Sequence, residues 1–143
     1  LYLFGGSALL WLGGPRTTVD VDIALAAPSA ELQQVIAEVA GEQGLDVEES
    51  VPADFMPLPA GYERRHQRLG DFGPLTIMLF DPYSVAVMKI DRAFESDLED
   101  VRLLLAAGHI TLDMLAPMVE DVARRYDEPI RLRRQFEDFR RSL

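Results

Sequence analysis

The sequence predicts an α/β (α+β) fold, in which a small mixed and twisted β-sheet is followed by C-terminal helices. In residues 1–80, short runs of strand length alternate with segments of helical periodicity, and from Pro82 onward only helical segments remain. A chain of 143 residues with 48% hydrophobic residues is long enough for one core. We therefore expect one domain over residues 1–143, with a core at 1–107 and a helical extension at 108–143. Because the chain opens on a strand and not on Met, we also expect that an N-terminal segment is missing.

Strands are predicted where apolar or alternating runs end at turn residues. The expected strands cover residues 1–4, 19–25, 45–49, 62–69 and 75–80. Between Ser50 and Ala60, three prolines indicate an irregular loop that is long enough to be a substrate flap.

Helices are predicted from periodicity and from their start and stop signals. The expected helices cover residues 7–12, 30–43, 82–94, 97–107, 112–125 and 130–141. Ser29 and Ser96 are the expected N-caps of the second and fourth helices, and Asp81 followed by Pro82 predicts the cap of the third. The last helix carries an apolar stripe of Leu132, Phe136, Phe139 and Leu143.

A glycine-rich turn follows the first predicted strand. Gly5 and Gly6 allow the chain to turn sharply into the helix that begins at Ser7. The first N–H groups of a helix lack internal partners, so this segment, the glycine turn, offers backbone donors and the Ser7 hydroxyl to a phosphate. Taken alone, such a sequence is more often only a turn.

An acidic pair, Asp20 and Asp22, lies on the second predicted strand. Because side chains alternate along a strand, the two carboxylates share a face and lie roughly 6.5–7 Å apart. Their repulsion, about 2–3 kcal/mol at an effective dielectric near 20, would be relieved by a cation. Mg²⁺ or Mn²⁺ suits this pair, since such ions take one or two carboxylates together with substrate phosphates. The alternative is the solvated face of an edge strand, which the neighbouring glycine turn makes the weaker reading.

Lys89 is the only lysine among fourteen basic residues. It lies in an otherwise apolar helical segment, where a compact ammonium can meet one phosphate oxygen in a way that a planar guanidinium cannot. Asp97 and Asp100 lie three residues apart on the next helix and share a face, so either could orient Lys89 or act as a general base. The alternative for these acids is structural, because Ser96 and Glu99 have the spacing of a capping box and acids favour the first turn of a helix.

In their order and spacing, these motifs resemble the DNA polymerase β-like nucleotidyltransferase superfamily. Arg16-Thr17-Thr18-Val19-Asp20-Val21-Asp22, followed by Lys89-Ile90-Asp91-Arg92 and Asp97-Leu98-Glu99-Asp100, is similar to the minimal bacterial branch that includes the AbiEii-like (type IV) toxins. The resemblance covers residues 4 to 107. It implies phosphate-binding roles for Gly5, Gly6, Ser7, Arg16 and Arg92. It also implies that Asp20 and Asp22 hold the metal and that Lys89, Asp97 and Asp100 are catalytic.

The resemblance implies transfer of a nucleoside monophosphate from an NTP to a hydroxyl of RNA, such as tRNA, or of a protein, with an antitoxin as a possible partner. One departure is that the predicted strand at 75–80 contains no third acid in its interior. Two alternatives therefore stay open. The chain could be an inactive nucleotide-binding module on the same fold, or an interaction domain whose acids are only surface charges.

Composition excludes other classes of protein. A net charge of −10 argues against wholesale coating of nucleic acid, although seven arginines lie between Arg124 and Arg141. Either these arginines or a second group at Arg64, Arg65 and Arg68 could hold RNA or triphosphate. For the C-terminal group we favour the alternative, which is the solvent-exposed face of an amphipathic helix. The chain has no apolar run of about 18 residues, so we expect no membrane association. The absence of cysteine fits a reducing compartment, and we expect a cytoplasmic protein.

Overall fold

The structure, a computed structural model, describes residues 1–14 and 20–143. They form two compact units, which are described separately here: Leu1–Val51 with Gln67–Phe80, and Pro52–His66 with Asp81–Leu143. The described residues contain a mixed five-stranded sheet and seven helices, so the predicted α/β (α+β) class is confirmed. The prediction of a single domain over 1–143 stays a prediction.

All strands of the sheet belong to the first unit. They are β1 (Tyr2–Leu3), β2 (Asp20–Ala24), β3 (Asp46–Glu49), β4 (Gln67–Phe72) and β5 (Leu75–Leu79). Their order is β3-β2-β1-β5-β4. Strand β1 is parallel to β5 and antiparallel to β2, strands β2 and β3 are parallel, and β4 and β5 form an antiparallel pair. The acidic strand therefore lies between the first strand and one edge of the sheet.

Two helices accompany the sheet in the first unit, α1 (Gly5–Trp11) and α2 (Ala30–Gln43). Helix α2 begins and ends as predicted. The Ser29 hydroxyl accepts a hydrogen bond from the backbone N–H of Leu32 at 3.2 Å, and Gly44 closes the helix with a φ of 66°. The buried apolar residues of this unit are Phe4, Ala8, Leu9, Ile23, Ala24, Ala40, Leu79 and Phe80.

The second unit is helical. Its elements are α3 (Pro52–Phe55), a 3₁₀ turn (Tyr62–Arg65), α4 (Pro82–Arg92), α5 (Glu95–Ala106), α6 (Leu112–Ala123) and α7 (Pro129–Arg141). Helices α4 to α7 enclose a core of Val85, Val87, Ile90, Val101, Leu104, Ile110, Leu115, Val119, Val122, Leu132, Phe136 and Phe139. Asp81 caps α4 as predicted, because its carboxylate accepts hydrogen bonds from the backbone N–H groups of Tyr83 and Ser84.

Four local predictions are wrong. Helix α1 begins at Gly5 and not at Ser7, so both glycines lie in its first turn. Tyr62–Arg65 form a 3₁₀ turn, so β4 begins only at Gln67. Ser96 does not cap α5, since that helix already begins at Glu95 with Phe94 at the N-cap position. The reason is that Ala93 takes a left-handed conformation, with φ at 52°, and turns the chain at once into the next helix. Leu143, expected in the buried stripe of α7, is exposed, because α7 ends at Arg141.

The proline-rich segment is attached to the second unit. It contains the short helix α3, and its later part is held by α6 and the residues that follow it. The guanidinium of Arg125 donates to the Leu58 carbonyl at 2.8 Å, and Asp121 accepts the backbone N–H of Ala60 at 2.9 Å. Leu58 is also buried. In this structure the segment is therefore an anchored part of the unit, and its use as a substrate flap stays a prediction.

Candidate functional site

The glycine turn and the acidic strand meet in the first unit. Helix α1 begins directly after β1, and the backbone N–H of Gly6 donates to the Oδ2 atom of Asp22 at 3.1 Å. The Ser7 hydroxyl lies 2.8 Å from the Phe4 carbonyl oxygen and 3.2 Å from the Asp22 carbonyl oxygen. The backbone N–H of Phe4 donates to that same Asp22 carbonyl at 3.2 Å. The turn thus contacts both the backbone and the side chain of Asp22.

Glycine is required at position 5 for two independent reasons. Its φ of 58° lies in the left-handed region, where other residues are strained. In addition, a Cβ atom at this position would lie 2.0 Å from Oδ2 of Asp22 and 2.7 Å from its Cγ. The carboxylate of Asp22 therefore fills the space that any other side chain at position 5 would need.

Four acidic residues share one face of the sheet. In the parallel pairing of β2 with β3, Asp20 is in register with Asp46, and Asp22 with Glu48. Residues in register across parallel strands point to the same face, so the acidic pair and these two acids lie side by side. Helix α2 is on the other face, where Gln33 donates to Glu49 at 2.8 Å. Asp20, Asp46 and Glu48 are exposed, and Asp22 is half-buried.

Sequence reasoning missed Asp46 and Glu48. The alternation in residues 45–49 predicted a strand, but a local pattern does not show which strand is its neighbour or in which register. Only the parallel pairing with β2 places these acids beside the acidic pair.

The donor set fits a divalent cation that is shared with a substrate. Across residues 1–14 and 20–143, no group of three or more His, Cys, Asp or Glu side chains is arranged to hold a metal ion by itself. The carboxylates of Asp20 and Asp22 are hard oxygen ligands, and Mg²⁺ is commonly bound by one or two of these together with phosphate oxygens and water. The space that Gly5 leaves for Asp22 fits this use, because it keeps one carboxylate in a fixed place.

Lys89 lies at the centre of an ionic network in the second unit. Its Nζ atom lies 3.1 Å from Oδ1 of Asp97 and 2.8 Å from Oδ2 of Asp100. Arg92 donates to both carboxylate oxygens of Asp97, at 2.7 and 2.5 Å. We call these four residues the lysine network. Lys89 and Asp97 are buried, at 6% and 2% exposure. The contacts of Asp97 and Asp100 with Lys89 are those expected if these acids orient it.

The electrostatics of the lysine network keep Asp97 ionised. Burial alone would raise the pKa of Asp97, but the hydrogen bonds from Arg92 and Lys89 outweigh it, so the pKa lies below its ordinary value. Two cations face two anions, so the network is close to neutral as a whole. It joins the end of α4 to α5, and Arg92, predicted to bind phosphate, uses two of its donors within it.

The remaining predicted site residues are placed as follows. Arg16 lies in residues 15–19, outside the described residues. The glycine turn and the acidic pair belong to the first unit, and the lysine network belongs to the second. A common site for all of them therefore stays a prediction.

The arginine-rich C-terminal segment is neutralised by acids. Each of the seven arginines from Arg124 to Arg141 lies 3.7 Å or less from an acidic side chain. Arg133, for example, forms two hydrogen bonds with Glu120, and these contacts lower the pKa of Glu120 to about 2. With Leu132, Phe136 and Phe139 buried beneath, the interpretation of α7 as an amphipathic helix with a wet charged face is confirmed.

In the described part of the chain, no helix is long and apolar enough to cross a bilayer.

Comparison with known proteins gives one match. The model of a family described as "Nucleotidyltransferase of unknown function (DUF6036)" matches residues 1–142. None of the curated proteins and none of the solved structures matches the chain.

Proposed function

We propose that the chain, which belongs to this family of nucleotidyltransferases, is a metal-dependent enzyme. The enzyme moves a nucleoside monophosphate from an NTP to a hydroxyl acceptor. The chain belongs to the family over nearly its whole length. The observation that carries the proposal is the contact between the glycine turn and Asp22, in which Gly5 leaves the space that the carboxylate occupies.

The acidic pair supplies the metal site in this proposal. Asp20 and Asp22 hold Mg²⁺ or Mn²⁺, which neutralises charge on the phosphates of the bound NTP. Asp22 is fixed by the Gly6 amide, while the exposed Asp20 lies two residues away on the same face. Positioning of this kind, together with charge neutralisation, supplies most of the acceleration in phosphoryl-group chemistry.

The glycine turn has a second role by resemblance, which is to contact the NTP phosphates. The Gly6 amide and the Ser7 hydroxyl are engaged with Asp22 and Phe4 in this structure. A phosphate contact from these two groups therefore requires that one of their hydrogen bonds be exchanged when the nucleotide binds.

The lysine network supplies the candidate base. A general base works best when its pKa lies near the operating pH. Asp97 is deeply buried, and its pKa is lowered by Arg92 and Lys89, so it is a poor proton acceptor. We therefore assign the base role to Asp100, which is half-buried, and a positioning role to Asp97. Lys89 is assigned to a phosphate of the substrate.

The experiment that tests the proposal is transfer of label from NTPs carrying a radioactive α-phosphate, with Mg²⁺ and either an RNA pool or the protein itself as acceptor. Wild type should label one of them, and Asp20→Asn with Asp22→Asn should reduce labelling by at least about 100-fold, as for loss of a group that stabilises transferred charge. Glu42→Gln is the control, because it removes an exposed acid of α2, which lies on the other face of the sheet. Equal labelling by the double variant and the control contradicts the proposal.

A second candidate is an inactive nucleotide-binding module. It is favoured by β5, where no acid occurs between Leu75 and Leu79, so no third carboxylate comes from that strand. Under this alternative, NTP binds but no pyrophosphate is released with any acceptor.

The AbiEii-like resemblance suggests that the proposed nucleotidyltransferase acts as a toxin, which is a more specific form of the first proposal. It requires that expression of the wild-type protein arrests bacterial growth, that Asp22→Asn does not, and that a cognate antitoxin restores growth. Growth that is unaffected by the wild-type protein would remove the toxin role and leave the nucleotidyltransferase proposal intact.

A further inference from the structure

We infer that the glycine turn is a positioning device for Asp22, so that this motif acts on the metal site and not only on phosphate. The inference rests on the proposed function for what Asp22 holds. Its geometry is independent of any nucleotide, because every contact is formed within the chain.

Three consecutive residues at the start of α1 contact Asp22 or leave space for it. The Gly6 amide donates to its carboxylate, the Ser7 hydroxyl reaches its carbonyl, and Gly5 leaves the space that its carboxylate occupies. The Phe4 amide adds a further bond to the same carbonyl. The backbone and one carboxylate oxygen of Asp22 are thus both fixed.

The Gly6 amide has a specific reason to bind this carboxylate. It lies in the first turn of α1, where backbone N–H groups have no acceptor within the helix. A carboxylate oxygen satisfies this donor and gains a charge-assisted hydrogen bond in return. The same bond selects one orientation of the Asp22 side chain, as outer partners of a metal site do for the ligands they contact.

The two acids of the pair are therefore unequal. Asp22 is half-buried and held by the glycine turn, whereas Asp20 is exposed. We assign Asp22 as the ligand that places the cation. Gly5, Gly6 and Ser7 are positioning residues that act through Asp22.

The chain offers a matched control for Gly5. Gly44 has nearly the same left-handed backbone, with φ at 66° against 58°, but a Cβ atom there would meet nothing within 4 Å. Gly5→Ala and Gly44→Ala both place alanine at a positive φ, and only Gly5→Ala drives a methyl group into the Asp22 carboxylate.

The first measurement is Mn²⁺ binding to the full chain in the presence of an NTP, followed by calorimetry, because the two carboxylates share the cation with phosphate oxygens. Gly5→Ala should weaken Mn²⁺ affinity by about 10-fold or more, the range for loss of an outer partner of a metal ligand, and Gly44→Ala by less than about twofold. Ser7→Ala should fall between them. Circular dichroism and a melting curve confirm that each variant is folded. If Gly5→Ala and Gly44→Ala bind Mn²⁺ equally, the glycine turn does not position Asp22 and the inference is overturned.

The second measurement needs no metal and separates the inference from the proposed function. Hydrogen exchange of the Gly6 amide should be at least about 10-fold faster in Asp22→Ala than in wild type, because the carboxylate is its acceptor, and unchanged in Asp20→Ala. Gly6 exchange that does not respond to Asp22→Ala overturns the inference. If Gly6 exchange responds but wild type binds no Mn²⁺ even with an NTP present, the proposed function fails while the contact between the turn and Asp22 is supported.

Discussion

Removal of the Lys89 ammonium should destabilise the protein strongly, although Lys89 is chosen from sequence as a catalytic residue. Its side chain is 8% exposed and lies against the carboxylates of Asp97 and Asp100, whose side chains are 3% and 17% exposed. Lys89→Met keeps the length of the side chain and deletes only the charge and its donors. The variant therefore leaves two neighbouring carboxylates in a site with little water.

The magnitude follows from the partners that remain. Loss of one partner from a buried ion pair costs about 3–5 kcal/mol, because the remaining charge stays desolvated. Arg92 still forms two hydrogen bonds with Asp97 in the variant, which places the expected loss near the lower end of that range. For a chain of this size, about 3 kcal/mol corresponds to a fall in Tm of roughly 6–12 °C.

The assay is urea unfolding at pH 7 and at pH 3, with Arg134→Met as the control. Arg134 is 82% exposed and its nitrogen lies 3.7 Å from Asp138, so its loss should change the free energy of unfolding by less than about 0.5 kcal/mol. The deficit of Lys89→Met should shrink at pH 3, because the pKa of Asp97 is lowered in the folded protein and the stability from its cation contacts is lost only as the pH falls below the ordinary value of 3.8. A deficit below about 1 kcal/mol at pH 7, or one that does not depend on pH, would refute this account of the lysine network.

Two further predictions concern backbone strain and pH. Ala93→Gly should raise the free energy of unfolding, measured in urea, by about 0.5–1 kcal/mol. The reason is that Ala93 has a φ of 52°, and glycine removes most of the penalty of this left-handed conformation. A loss of stability would show that the turn is not strained. His66 accepts the backbone N–H of Asp81 on Nδ1 at 3.1 Å, and burial lowers its pKa against the opposing effect of Asp81 and Glu63. Because the pKa of His66 is lower in the folded protein, the unfolded chain binds a proton on this imidazole more tightly than the folded protein does. The stability contributed by neutral His66 is therefore present above pH about 6.5 and lost as the pH falls below it. His66→Asn, whose amide oxygen can accept the same N–H, should show a smaller loss of stability between pH 7.5 and 5 than wild type, and equal losses would contradict this.

Local signals explain why most elements could be predicted from sequence. Ser29 and Gly44 bound α2, and Asp81 with Pro82 begins α4, because caps depend on residues within one helical turn. The predicted start of α5 is wrong because the local signal at this position is misleading. Ser96 has the right residue type for a cap, but the left-handed turn at Ala93 begins the helix earlier, and alanine gives no sign of such a turn.

The candidate site was predictable in its parts but not in its contacts. The glycine turn and the acidic pair are short motifs, and their residue types alone indicate phosphate binding and metal binding. That Gly5 faces the Asp22 carboxylate depends on how α1 lies beside β2, and that Glu48 stands beside Asp22 depends on the parallel register of β3. Both are long-range features, which periodicity within a segment does not encode.

The central claim is that the acidic pair makes nucleotide binding depend on a divalent cation, and calorimetric titration of an NTP in the presence and absence of Mn²⁺ tests it most directly. We predict that wild type binds the NTP at least about 10-fold more tightly with Mn²⁺, because the cation is shared between the carboxylates and the phosphates. Asp20→Asn with Asp22→Asn should remove this dependence, and Glu42→Gln, which removes an exposed acid of α2, should retain it. Metal-dependent binding that is unchanged in the double variant, or NTP binding by wild type that ignores Mn²⁺, would contradict the claim.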